Sequence, residues 1–390
     1  MKGNKLLKFS LLSISFLMML RLTISPALVN IGEAVGKNVI EMQVMVVVAS
    51  LFAIPFGFIA SLLANKIKKR TIIIIALVLY IIGGMGPMLT TNFTFMLVCR
   101  AILGAGTGLF LPFAAGLLAD FFKGEELNKM IGLQSATVSI GNIVTSFLAG
   151  QLAAIDWRLA FLIYGFAVIS FLLFVFNVPE PPKAEKAPED KTINGRMVFI
   201  LIAILVYAVI YFSYFGFISY VVTFNFFAGD FAKGAPAAGL CQMAMTAGSL
   251  VSGFIFAAVT KGLKKVALPL FILLNVVGFG IVAFAPSMAA IVIGSVVIGL
   301  GFGLLLPYGT MRIMEETSAT GKSFANGMYM TFVNIGTAIS PAILGGILAV
   351  FGKDQFTGGQ FIWQVSAIAL VVGFVISVIL AIVIKTEKNK

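Results

Sequence analysis

The chain has 390 residues, of which 60% are hydrophobic and only 11% are charged, and its formal net charge is +12. Soluble domains carry about 25% charged residues, so this composition excludes an ordinary soluble enzyme or binding domain. It is typical of a protein with many membrane-spanning helices.

Apolar runs of about 20 residues, each long enough to cross a bilayer core, recur along the chain. The first six predicted spans lie near 9–30, 41–63, 71–90, 94–118, 130–152 and 159–178. The second six lie near 197–224, 236–259, 266–286, 288–310, 323–351 and 361–384. The basic start of the chain runs into the first apolar stretch without a convincing cleavage site, which predicts an uncleaved first helix.

One extended hydrophilic interval, rich in proline and alternating charge, separates the two sets of spans. Such a segment stays extended and solvated. We therefore predict an all-α membrane protein with a six-helix bundle over 1–178, a cytoplasmic linker over 179–196 and a second six-helix bundle over 197–390.

The two bundles are related by an internal repeat. Gly104–Pro112 recurs as Gly299–Pro307. Within these segments a shift of 195 residues pairs Gly104 with Gly299 and Gly108 with Gly303. Further glycines keep this spacing, with 132, 141 and 150 matching 327, 336 and 345. Separate blocks at one spacing indicate a tandem duplication, which predicts two pseudo-symmetric halves. Glycine lets membrane helices approach closely, so Gly104, Gly108, Gly299 and Gly303 are predicted to be packing positions.

The basic residues lie mostly on one side of the predicted membrane. With a cytoplasmic N-terminus, the outer segments hold only Lys37, Arg158, Lys233 and Lys353 of the 27 lysines and arginines. The positive-inside rule then places both termini in the cytoplasm of a cell-membrane protein. The basicity is a topology signal, so no nucleic-acid partner is expected.

The segment between spans 2 and 3, Ser61–Arg70, resembles the corresponding loop of the major facilitator superfamily. The basic residues Lys66, Lys69 and Arg70 of that motif are kept, whereas Asn65 stands where the family has an aspartate. The aspartate helps to latch the two halves together in the family, so Asn65 weakens the expected latch.

Two further segments carry the same resemblance. Arg100 and Gly104 match the R-x-x-x-G pattern of span 4, and the glycines of span 5 match part of the signature of the drug:proton antiporter branch. The resemblance covers essentially the whole chain. It implies alternating access by two six-helix halves, with spans 1, 4, 7 and 10 lining a central cavity. The cavity candidates that it implies are Arg21, Gln134, Tyr211, Tyr214, Tyr308 and Asn334.

Arg21 and Arg100 lie deep in predicted spans 1 and 4, where each arginine costs about 2.5–3.5 kcal/mol to insert. No carboxylate lies at that depth. A guanidinium fork suits a carboxylate or phosphate, so Arg21 either binds an anionic group of a substrate or is satisfied by backbone carbonyls and water. For Arg100 we favour a structural and coupling role.

Proton coupling requires a titratable group, and the chain has no histidine and no mid-span acid. The remaining coupling candidates are Glu33, Glu41 and Asp120, of which Asp120 is expected to pair with Lys66, Lys69 or Arg70 at the cytoplasmic surface. No nucleotide-binding loop, metal-ligand cluster or nucleophile–base set is visible, so we predict neither an enzyme nor a cofactor.

Two functional hypotheses remain. The first is a secondary transporter, expected to be a monomer, that moves a small anionic or zwitterionic organic solute by alternating access, with a proton as the expected coupling ion. The alternative is a proton-coupled exporter of hydrophobic or cationic drugs, favoured by the partial antiporter motif, the aromatic residues of span 7 and the many methionines.

Overall fold

The computed structural model describes residues 5–18, 20–64, 66–181, 192–263, 266–318 and 321–387. Within these ranges all regular elements are helical. Asn65 and most of the predicted linker, 182–191, lie outside the described residues.

The first six spans follow the predicted boundaries within a few residues. Span 1 consists of Lys5–Phe16, two 3₁₀ turns and Leu28–Val35. Spans 2 to 6 are formed by Val39–Leu63, Lys69–Met85, Phe93–Phe121, Gly124–Ile155 and, after the 3₁₀ segment Trp157–Gly165, Phe166–Asn177.

The second six spans repeat this arrangement. Span 7 is the helix Gly195–Tyr220, which continues as a π-helical turn, Val221–Phe226. Spans 8 to 12 are Phe231–Leu263, Ala267–Ala283, Met288–Glu315, Lys322–Val350 and Gly359–Glu387. Eleven of the described spans are long and apolar enough to cross a membrane, and Ala267–Ala283 is a shorter apolar helix. The prediction of an all-α protein with twelve spans is confirmed.

An even number of spans returns the chain to the side of the membrane on which it starts. We call the side of Lys5 and Glu387 the terminal face and the opposite side the distal face. The terminal face carries the connections between spans 2 and 3 and between spans 4 and 5. The distal face carries those between spans 1 and 2 and between spans 7 and 8.

Span 1 is interrupted in its middle. The first helix ends at Phe16, and the 3₁₀ turns Leu20–Leu22 and Ser25–Ala27 precede the helix that starts at Leu28. The hydroxyls of Thr23 and Ser25 donate to backbone carbonyls three residues earlier, at 2.7 Å each. Local side chains therefore satisfy part of the backbone that the interruption frees, as a break in a membrane helix requires.

The repeated glycines pack span 4 against span 2 and span 10 against span 8. A Cβ atom added at Gly104 or Gly108 would collide with the backbone of Ala49 or Ala53. In the second half, Gly299 and Gly303 lie in the same way against the backbone of Met245 and Ser249. The helices themselves remain continuous through Pro112 and Pro307. The duplicated sequence thus produces one close helix contact in each half.

Substituting Gly104 with alanine is expected to destabilise the protein by about 1–3 kcal/mol, because span 2 must move to accommodate the new methyl group. Gly116→Ala is the matched control, because it lies in the same helix and a Cβ there meets no atom within 4 Å. The control should melt at or above the wild-type temperature, since alanine has the higher helix propensity. Equal melting temperatures for the two variants would contradict the contact.

The halves meet at mid-depth and toward the distal face. Span 5 packs along span 8, and span 2 packs along span 11. Near the distal face, the Ser219 hydroxyl donates to the Pro26 carbonyl at 2.8 Å, and the Asn30 amide donates to the Ala153 and Phe231 carbonyls. These bonds close the distal face over the middle of the molecule.

Candidate functional site

Arg21 lies in the interruption of span 1 and joins the two halves. Its Nη2 donates to the Oδ1 of Asn334 in span 11 at 3.0 Å. The residue is buried, and its Nε has no hydrogen-bond partner among the described residues. No ion pair within the described part of the chain includes Arg21. A buried guanidinium thus keeps a free donor beside a neutral partner.

Arg100 is fully buried and connects four spans of the first half. Its Nη2 donates to the Arg21 carbonyl at 2.7 Å, its Nη1 to the Tyr164 hydroxyl at 2.6 Å and its Nε to the Met45 carbonyl at 3.1 Å. A second support comes from Tyr80, whose hydroxyl donates to the Leu17 carbonyl at 3.1 Å. The interrupted backbone of span 1 is therefore held in place by side chains of spans 3 and 4.

A polar contact between spans 5 and 8 lies at about the same depth. The Asn142 amide donates to the Thr246 hydroxyl at 2.9 Å, across the two halves. One turn earlier in span 8, Gln242 is fully buried, and neither of its side-chain polar atoms has a partner among the described residues. Sequence reasoning missed Gln242, although an amide within an apolar span is a signal that points to it.

Gln134 is held within the first half. Its amide donates to the Ser15 hydroxyl at 3.1 Å and to the Ala114 carbonyl at 3.2 Å. It links spans 1, 4 and 5, one to two turns from Arg21 along span 1 toward the terminal face. Another missed residue, Gln43 of span 2, donates to the Gly216 carbonyl of span 7 at 3.1 Å, again across the halves.

Aromatic rings of spans 7 and 10 stack on one another in the second half. The rings of Tyr211 and Phe302 stack with their centroids 3.8 Å apart and their planes 10° apart. Tyr207 lies next to both rings in a nearly parallel orientation. Tyr211 and Phe302 are only partly buried, so part of this pair of residues remains accessible.

Three other tyrosines of spans 7 and 10 pack within the second half. Tyr214 is fully buried, its hydroxyl donates to Ser295 at 2.6 Å, and its ring stacks on Trp363 at 5.9 Å. The hydroxyl of Tyr207 donates to Asn275 at 2.9 Å. Tyr308 is half-buried and packs edge-on against Phe271, nearer the terminal face. The structure thus brings Arg21 and Asn334 into contact but places Tyr214 and Tyr308 within the packing of the second half.

The terminal-face candidates form contacts within the first half. Lys69 pairs with Asp120 at 2.8 Å, as expected. Arg70 donates to the Val175 and Val178 carbonyls at the end of span 6, and Lys66 is exposed. These bonds fasten the connection between spans 2 and 3 to its own bundle.

The distal-face candidates differ in their surroundings. Glu41 forms a capping box with Asn38 at the start of span 2 and an ion pair with Lys37 at 2.8 Å. Glu33 is exposed and takes part in no ion pair among the described residues. Glu41 is thus engaged in capping, whereas the carboxylate of Glu33 remains available.

Comparisons with known proteins agree with this architecture. Among solved structures, the nucleoside transporter NupG superposes with a TM-score of 0.74 at 15% identity, covering 95% of this chain and 98% of that one. The D-xylose-proton symporter gives a TM-score of 0.68 at 14% identity, covering 94% and 97%. At these identities the likeness concerns the fold alone.

Two curated relatives are similar in sequence. The quinolone resistance protein NorA of Staphylococcus aureus is 25% identical over 308 residues, which cover 76% of this chain and 77% of that protein. Multidrug resistance protein 1 of Bacillus subtilis is 24% identical over 336 residues, covering 83% and 84%. The family model described as Major Facilitator Superfamily matches residues 10–259 and 203–390. The chain therefore belongs to the major facilitator superfamily, whose members are transporters rather than enzymes.

Proposed function

We propose that this transporter carries a small organic solute with an anionic group, and that Arg21 binds that group. The observation that supports the proposal is the buried guanidinium between the halves, whose Nε has no partner and which binds no carboxylate within the described ranges. In a site of low dielectric, a charge-assisted bidentate bond to a carboxylate or phosphate is strong and directional. Interrupted helices near mid-membrane are also where transporters of this general design bind their substrates.

The remaining surfaces fit the rest of such a solute. The Oδ1 of Asn334 accepts a hydrogen bond from Arg21. When the solute replaces this bond, the amide nitrogen of Asn334 can donate to an acceptor on the solute. The Tyr211–Phe302 pair offers a ring face for stacking. We therefore propose an aromatic or otherwise flat organic acid, or a zwitterion, as the class of substrate.

The proposed mechanism is alternating access. Arg21 belongs to the first half and Asn334 to the second, so a solute bound between them exchanges its contacts when the halves rock. We propose that the terminal face is cytoplasmic, because the lysines and arginines are concentrated there. The described conformation, closed on the distal face, is then closed to the outside.

Export of hydrophobic or cationic drugs is the second candidate, favoured by the two relatives named for drug resistance. A cation at the centre would meet Arg21 and Arg100 with no described carboxylate between them. Like charges in a site of low dielectric repel strongly, which favours the anionic solute.

The test is a thermal-shift titration of the purified protein with benzoate and with tetraphenylphosphonium. Benzoate is expected to raise the melting temperature of the wild type and of Arg158→Gln, a control at the distal surface, but not of Arg21→Gln. Reconstituted vesicles with an imposed pH gradient then test transport and its expected coupling to a proton. Stabilisation by tetraphenylphosphonium that survives Arg21→Gln would instead support drug export.

A further inference from the structure

A cleft of about 320 Å³ lies on the distal face between the two halves. One wall is the end of span 1 and the turn that follows it, with Gly32, Glu33 and Lys37. The other wall belongs to the second half. The cleft is near the lower limit of volume for small-molecule sites, about 300 Å³, so it suits a ligand of few atoms.

The wall of the second half is aromatic. Tyr220, Phe224, Phe231 and Phe356 all line the cleft. Phe356 lies 5.4 Å from Phe224 and 6.2 Å from Tyr220 between ring centroids, and Phe224 lies 6.3 Å from Phe231. Their tilted and edge-on arrangement joins the four rings into one cluster. Aromatic rings grouped in this way attract cations through the negative potential of their faces.

The hydroxyl of Tyr220 is the third feature of the cleft. The residue is 1% exposed, and its oxygen makes no hydrogen bond to any described residue. A Cβ added at Gly32 would lie 3.5 Å from this oxygen, so the hydroxyl reaches the wall of span 1 beside Glu33. Buried hydroxyls are normally hydrogen-bonded, so this one can still bind a water or a polar ligand at the edge of the cleft.

The local charge favours a cation. Glu33 is exposed, lines the cleft and takes part in no ion pair among the described residues. The one basic residue of the cleft, Lys37, is already engaged, because its ammonium pairs with Glu41 at 2.8 Å and lies over the Phe93 ring at 5.2 Å. The available charge in the cleft is therefore the carboxylate of Glu33.

We propose that this cleft binds a small organic ammonium ion with an apolar group, at a site separate from that of Arg21. One ammonium N–H donates to the Tyr220 oxygen, Glu33 balances the charge, and the apolar group packs against the phenylalanine rings. Such a ligand touches both halves at once. It stabilises the conformation that is closed on the distal face and so inhibits transport.

The site is tested by isothermal titration calorimetry of the purified protein with benzylammonium and benzyltrimethylammonium, of which only the first carries N–H donors. The wild type is expected to bind benzylammonium more tightly than benzyltrimethylammonium. Glu33→Gln should weaken its binding by about tenfold or more. Tyr220→Phe should remove the preference for benzylammonium. Asp156→Asn, a carboxylate on the same face outside the cleft, should bind both probes as the wild type does.

Each variant is expected to keep the wild-type melting temperature, since Glu33 is exposed and Tyr220→Phe retains the ring. Binding of benzylammonium that is unchanged in Glu33→Gln would overturn the proposal. So would a preference for benzylammonium that persists in Tyr220→Phe. Neither result depends on Arg21. Failure of this proposal can therefore be distinguished from failure of the proposed substrate site.

Discussion

Arg100→Lys is expected to lower the melting temperature by on the order of 10 °C and to abolish transport. The guanidinium satisfies three acceptors in fixed directions, and two of these acceptors are backbone carbonyls of spans 1 and 2. A lysine concentrates its three donors on one compact ammonium and has no planar fork, so it cannot reach all three acceptors spread around the guanidinium, and some of them lose their bonds. Each buried group left unsatisfied costs about 1–3 kcal/mol. The Arg21 carbonyl would then be released, and the interruption in span 1 would lose its position.

The measurement is the melting temperature of each purified variant together with its transport rate in vesicles. Arg158→Lys is the matched control, because Arg158 is a partly exposed arginine on the distal surface. Tyr164→Phe removes one of the three acceptors and should give an intermediate loss of stability. An Arg100→Lys protein that melts and transports as the wild type does would show that the three bonds contribute little.

The sequence was sufficient to predict the number of spans and the duplication. Both depend on local properties, namely apolar length and the recurrence of glycine at one spacing. The contacts of Gly104 and Gly299 with the neighbouring helices show why the glycines recur, since each half needs the same close approach. Pairing of Asp120 with a basic residue was also predictable, because the motif limits its partners to a few neighbours.

The interruption of span 1 was not predicted. Hydropathy reports the average apolar content of a segment but not its hydrogen bonding, and the mean hydropathy of span 1 stays that of a membrane span despite the break. The bonds that permit the break come from distant side chains, Tyr80 and Arg100. Pro26, close behind the polar residues Arg21, Thr23 and Ser25, was the available local signal.

Contacts between the halves were also not predictable from the sequence. Arg21 and Asn334 were both named as candidates, but 313 residues separate them, and no local pattern joins them. In span 7, the family resemblance named Tyr211 and Tyr214 as cavity candidates without telling which of them is exposed. Tyr214 is fully buried against Trp363, whereas Tyr211 remains partly accessible.

Locking the distal face with a disulfide is expected to stop transport completely. A Cβ at Gly345 in span 11 would lie 3.2 and 3.6 Å from the two γ carbons of Ile40 in span 2. A cysteine sulfur at position 40 takes one of these γ positions, close to the distance of about 3 Å that separates a Cβ atom from the far sulfur of a disulfide. The pair Ile40→Cys and Gly345→Cys therefore joins the halves in the conformation that is closed on the distal face.

The pair is introduced after Cys99→Ala and Cys241→Ala, which remove the native free cysteines. A protease site placed within 182–191 then reveals the bond, because the cut halves migrate together on a non-reducing gel only when they are cross-linked. Oxidation should reduce transport to background in the double variant, leave both single-cysteine variants active, and be reversed by dithiothreitol. If the halves had to separate at the distal face only slightly, a fully cross-linked protein would still transport. That result would contradict alternating access by rocking of the two bundles, because rocking must open the contact between spans 2 and 11 in every cycle.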